Sequence, residues 1–173
     1  MKRRNTLTLT TIALIWFTVA LPAADTAAQQ KTLKDQLTGS WTLVSIEVTP
    51  PTGTKREEFG ANPKGILILD ASGRYATVLG QPNRPKFKDT NNLRAGATDA
   101  EFAAATRTFA ANFGTWSVNE ADKTLIRKYE IALIPNNDNQ ETKTSVSLAG
   151  DELKLVTTSS AGVRSDTVYR RAK

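Results

Sequence analysis

The sequence predicts an all-β fold, an antiparallel up-and-down barrel of about eight strands with one short helix inserted between the third and fourth. Three observations carry that reading. Apolar and polar residues alternate with period two in segment after segment, the mark of strands with one buried face. Short turn sequences such as Asp70-Ala71-Ser72-Gly73 and Gly150-Asp151 join neighbouring segments, which suits hairpins. Several strands, Leu43-Val44-Ser45-Ile46 and Ile66-Leu67-Ile68-Leu69 among them, are apolar on both faces, more than one helix can cover. Rolling the sheet into a barrel removes its open edges and gives every strand a shared core.

The chain starts with a basic Met1-Lys2-Arg3-Arg4. An uncharged apolar run from Leu7 to Leu21 and a small-residue stretch through Thr26-Ala27-Ala28 follow. That order describes a secretory signal peptide over residues 1–28, with cleavage expected after Ala28 and Ala24 as second choice. The apolar run is shorter than the ~20 residues that cross a bilayer, so no stable membrane insertion is expected. There is no Cys to carry a lipid. Arg3-Arg4 is ordinary for such leaders, which favours general secretion over a twin-arginine route. The product is expected in the periplasm or outside the cell.

Residues 29–37 read as a polar tether with room for a short turn of helix, and residues 38–173 as the barrel domain. Strands are expected at 40–49, 65–70, 74–80, 115–119, 123–133, 141–148, 152–158 and 163–171. Pro50-Pro51-Thr52-Gly53 ends the first. Thr98 and Glu101 have the capping-box spacing. Phe102, Thr106, Phe109 and Phe113 then recur at helical spacing up to Gly114, so a helix of about three to four turns is expected, its aromatic stripe buried against the sheet.

Composition restricts the chemistry. The 173 residues include 23 Lys plus Arg against 17 Asp plus Glu, with no His and no Cys. A Ser-His-Asp or Cys-His nucleophile, a His- or Cys-ligated zinc or haem, and a disulfide are all excluded. The turn aspartates form no calcium loop and no carboxylate cluster stands out, so neither metal nor cofactor is expected. Without the leader the balance is 20 basic to 16 acidic residues. The basic residues do not interleave with aromatics on one element, which argues against nucleic acid.

Gly39-Ser40-Trp41 resembles the Gly-x-Trp opening of the lipocalins. A larger ordered set is similar to one bacterial group, the lipocalin-like domain proteins. It comprises Phe59-Gly60-Ala61-Asn62-Pro63-Lys64-Gly65, Gly73-Arg74-Tyr75, Pro82-Asn83-Arg84-Pro85, Phe113-Gly114-Thr115-Trp116-Ser117-Val118, Gly150-Asp151-Glu152-Leu153-Lys154-Leu155 and Tyr169-Arg170-Arg171. The resemblance spans nearly the whole expected domain and implies a small calycin-type barrel, a group usually without an assigned activity. Relatives often carry His in the fifth strand, where this chain has Arg127-Lys128-Tyr129. After the following proline, where they often carry an aromatic, it has Pro135-Asn136-Asn137-Asp138. On physical grounds Gly39 admits the chain to the first strand without a Cβ clash, and Trp41 plugs the narrow end. A guanidinium from the last strand could lie across the indole, and the family's ending points to Arg171 before Arg170.

Alternation places Leu125, Arg127 and Tyr129 on one face of the fifth expected strand. If that face is inward, a cation and a phenol sit inside the barrel. Arg127, Tyr129 and Trp116 are therefore the candidate ligand-binding residues in the interior, with Arg74 and Arg84 at a mouth or loop. Glu47 shares a face with Trp41, Leu43 and Ser45 and is a candidate inward partner for Arg127. No catalytic residue is assigned. Three functions fit: a non-catalytic barrel for a small, partly apolar or amphipathic and possibly anionic ligand, a barrel-type isomerase or cyclase acting on such a molecule, and a protein-binding envelope factor with a solid barrel.

Overall fold

The computed structural model of the chain describes residues 31–89, 91 and 96–173. The expected leader therefore lies outside the described residues. A short helix α1 (Leu33–Leu37) precedes strands β1 (Gly39–Thr49), β2 (Arg56–Glu57), β3 (Lys64–Leu69) and β4 (Arg74–Gly80). Helix α2 (Asp99–Arg107) leads into β5 (Phe109–Asn119) and β6 (Thr124–Ala132). A 3₁₀ turn at Pro135–Asn137 then precedes β7 (Glu141–Ala149), β8 (Glu152–Thr158) and β9 (Arg164–Arg171). Neighbouring strands pair antiparallel in the order β1-β3-β4-β5-β6-β7-β8-β9, and β9 returns to pair with β1 from Trp41↔Arg171 to Thr49↔Arg164. This is the closed eight-stranded barrel that the alternation predicts. The two-residue β2 is an addition, paired only with Glu47 and Val48 at the upper half of β1.

Two bulges set which residues face inward. Between Leu43↔Tyr169 and Ser45↔Val168 the residue Val44 has no partner, so β1 gains one residue and its alternation inverts. Trp41 and Leu43 point in below the bulge, and Ile46 and Val48 point in above it. Glu47 is thereby turned outward, where it pairs with Lys55 at 2.7 Å, and not inward toward Arg127 as expected. The second bulge lies in β6, where Gly114 faces Tyr129 and Phe113 faces Ile131, leaving Glu130 as the extra residue. Gly114 is needed there, because a Cβ would lie 2.0 Å from the Lys128 carbonyl oxygen.

The helix is shorter than predicted. Thr98 and Glu101 form the capping box, but α2 ends at Arg107, and the Thr108 hydroxyl donates to the Ala104 carbonyl at 2.8 Å. Phe109 and Phe113 belong to β5, which starts six residues before the expected 115. The aromatic stripe is also not buried against the sheet: no residue of α2 is buried, and Phe102 is exposed, its ring meeting the edge of Phe87 at 5.5 Å between centroids. Apolar outer positions on the neighbouring strands, Ile66, Ile68, Val78, Phe113 and Ile131, consequently remain 36–57% exposed.

The core fills the lower end of the barrel. Leu37, Trp41, Leu67, Leu69, Trp116, Leu125 and Leu153 are almost wholly buried there. Residues 33–37 do more than tether: α1 closes this end, inserting Leu37 and accepting the Trp41 indole N–H on the Leu37 carbonyl at 2.8 Å. Its first backbone amides have no helical partner, and the carboxylate of Glu120 in the β5–β6 turn accepts from Leu33 and Lys34 at 2.9 and 3.0 Å. The Arg171 guanidinium lies 4.1 Å over the Trp41 ring and donates to the carbonyls of Gln36 and Thr38. Gly39, at φ +132°, leaves room for it, since a Cβ would stand 3.3 Å from the Arg171 Nη1.

Candidate functional site

Above this plug the inward positions change character. From β4 come Tyr75 and Thr77, from β5 Asn112, from β6 Arg127 and Tyr129, from β7 Thr142 and Thr144, and from β8 and β9 Thr157 and Thr167. Cross-strand register brings them together: Thr77 faces Asn112, Tyr129 faces Gly114 next to Tyr75, and Arg127 faces Thr142. The Tyr75 and Tyr129 rings stand 6.4 Å apart, and the Arg127 guanidinium lies 5.7 Å from the Tyr75 ring centroid, within cation–π range. Inward residues that are only half-buried, as Arg127, Tyr129, Asn112 and Thr142 are, place solvent within reach of the upper interior.

Five of the polar atoms here are unpaired. Tyr75 Oη, Thr77 Oγ1, Asn112 Oδ1, Arg127 Nε and Thr142 Oγ1 are buried without a hydrogen-bond partner. All five lie on four consecutive strands, β4 to β7. A buried polar group left unpaired costs about 1–3 kcal/mol, so five on adjoining inner faces mark a place where further atoms belong. By contrast Thr144 and Thr157 satisfy one another at 3.0 Å. Burial pushes the Tyr75 phenol well above its ordinary range, and that of Tyr169 on β9 up to about 12. Both are therefore neutral hydroxyl donors at physiological pH.

Of the five residues singled out in the sequence, the fold brings Arg127 and Tyr129 into this cluster and keeps three away. Trp116 is inward but belongs to the plug: its indole N–H donates to the Asp70 carbonyl at 2.9 Å, and Lys34 lies 5.8 Å over its ring. Arg74 is on the outer surface, in a bidentate pair with Glu130. Glu130 is the bulge residue, and this pair holds its carboxyl below the usual carboxylate range. Arg84 is outside as well, stacked 4.6 Å over Phe109 and donating to the Ala105 carbonyl at 2.9 Å. Sequence reasoning passed over Tyr75, Thr77, Asn112 and Thr142. Alternation alone holds the signal for three of them, since Tyr75 and Thr77 share the face of Leu79, and Thr142 shares that of Val146.

Residues 38–171 match the family described as a lipocalin-like domain, and so cover the whole barrel. The chain belongs to the lipocalin-like domain family. Among solved structures, the lipocalin-like barrel is similar to a redesigned beta barrel, at 13% identity over 81% of this chain and 95% of that one, TM-score 0.41. It is also similar to a mutant of the fluorescent protein UnaG, at 12% identity over 79% of this chain and 96% of that one, TM-score 0.36. No curated protein matches the sequence. Inside, this lipocalin-like barrel brings together an arginine and two tyrosines among unpaired hydroxyl and amide groups.

Proposed function

We propose that this protein is an exported lipocalin-like barrel that binds a small, partly apolar molecule in its upper interior and does no chemistry on it. The observation that carries the reading is the group of five unpaired buried polar atoms on the inner faces of β4 to β7. A ligand offering donors and acceptors along those faces would satisfy them, while apolar inward neighbours such as Leu79 and Ala110 would cover its hydrocarbon part. The filled lower end limits the ligand to the upper half. Binding without catalysis is supported by the placement of the carboxylates: the inward strand positions hold none, and Glu101, Glu130 and Asp166 are engaged on the outer surface. Export is supported by the order of basic, apolar and small residues over 1–28.

Releasing bound material from the purified protein with mild denaturant, followed by mass spectrometry, tests the proposal. A stoichiometric small molecule is the expected result. Recovery of none, with no uptake of apolar probes by the refolded protein, overturns it.

A further inference from the structure

Resting on the reading that the upper barrel binds a small molecule, we propose that this ligand is a monoanion whose carboxylate is held by the Arg127 guanidinium and the Tyr75 hydroxyl. Two described arginines point into the barrel, and they differ in their surroundings. Arg171 is satisfied by two carbonyls and the Trp41 face. Arg127 has a buried Nε with no acceptor, and no carboxylate among the described residues forms an ion pair with it. The inward strand positions contain no Asp or Glu, and Glu130, three residues along, is engaged by Arg74 on the outside. The buried Nε is a charged donor left without an acceptor, and an anionic oxygen of the ligand would satisfy it.

The geometry also selects the anion. A guanidinium is a planar fork of N–H donors that matches the two oxygens of a carboxylate. Tyr75 Oη and Thr142 Oγ1 are unpaired hydroxyls on either side of Arg127, one on a ring packed against the guanidinium and one on its cross-strand neighbour. Each can donate to an oxyanion. No Lys occupies an inward strand position, so a single cation balances a single negative charge, and a dianionic phosphate would leave one unbalanced. Below Arg127 the interior is closed by Trp116 and Leu125. The apolar part of the ligand therefore extends upward, past Leu79 and Ala110, and is short.

Calorimetric titration of the purified protein with decanoate, decanol and decylammonium tests this. Decanoate is expected to bind at least tenfold more tightly than decanol, and decylammonium more weakly than either. In Arg127→Met the decanoate affinity should fall to within about threefold of that of decanol, which itself stays unchanged, whereas Arg84→Met keeps the preference. Among the described residues Arg127 gives up no ion pair or hydrogen bond and only the Tyr75 ring face, so folding should survive, and thermal melts check it. Tyr75→Phe gives an independent arm, with a several-fold loss for decanoate and none for decanol. Equal binding of decanoate and decanol, or a preference that survives Arg127→Met, overturns the carboxylate and leaves the binding barrel standing. Binding of no probe, with nothing co-purified, overturns both.

Discussion

Replacing Gly114 with alanine probes the contact that shapes the site. At this position β5 and β6 approach so closely that a Cβ would lie 2.0 Å from the Lys128 carbonyl oxygen and 2.9 Å from the Glu130 amide nitrogen. Both neighbours are backbone, so no side chain can swing aside, and relief requires the strands to part by more than about an ångström, given carbon contact distances of about 3.5 Å. A ladder hydrogen bond stretched that far is broken. Losing two such bonds, with about 1 kcal/mol net for each and a further 1–3 kcal/mol for a group left unpaired, amounts to about 3–5 kcal/mol. Gly60→Ala is the control. Gly60 sits at φ +70° with nothing within 4 Å of a Cβ, so only the left-handed penalty of about 1–2 kcal/mol applies. Urea unfolding followed by the fluorescence of buried Trp41 and Trp116 measures both. With a slope of about 2 kcal/mol per molar, Gly114→Ala should lower the midpoint by about 1.5–2.5 M and Gly60→Ala by less than about 1 M. A Gly114→Ala midpoint within about 0.5 M of the wild type would refute the argument that the β6 bulge depends on this close approach.

Leu37→Ala removes the side chain that α1 inserts into the lower end and should cost about 2–5 kcal/mol in the same urea assay, and a cost below about 1 kcal/mol would show that α1 is no part of the core. Arg171→Met gives up the Trp41 face and two carbonyl bonds and should lose about 2 kcal/mol, against less than about 0.5 kcal/mol for exposed Arg170→Met. Stability should also depend on pH at both extremes. The Arg164 guanidinium lowers the Asp166 carboxyl to about 2, and the Thr98 backbone amide does the same for Glu101. Their contribution is complete above their ordinary pKa near 4 and is lost as pH falls from about 4 to 2, so a urea midpoint flat over that window contradicts it. Burial raises Tyr169 to about 12, so its contribution is complete below about pH 10 and is lost between 10 and 12. Absorbance titration at the phenolate band should show this tyrosine ionising last but for Tyr75, and a common midpoint near 10 would speak against its burial.

The strands, their order and the closure of β9 on β1 were legible from the linear chain, because period two and the turn residues at Gly73 and Gly150 are local properties. The Leu125 face of β6, with Arg127 and Tyr129, was legible for the same reason. The end of the helix was not. Phe109 and Phe113 are four residues apart, a spacing that puts them on one face of a helix and equally on one face of a strand. Pairing with β4 decided between the two, through hydrogen bonds that neighbouring residues do not determine.

The amino-acid order by itself determined that this chain alternates, turns and closes, and that it carries no His or Cys chemistry. Only the tertiary structure decided which side of that alternation each group occupies. Single unpaired residues, Val44 and Glu130, shift the phase of their strands, and a bulge arises from how two strands twist against each other, which neither strand records alone. That is why Glu47 stands outside beside Lys55 and Arg127 stands inside without a carboxylate.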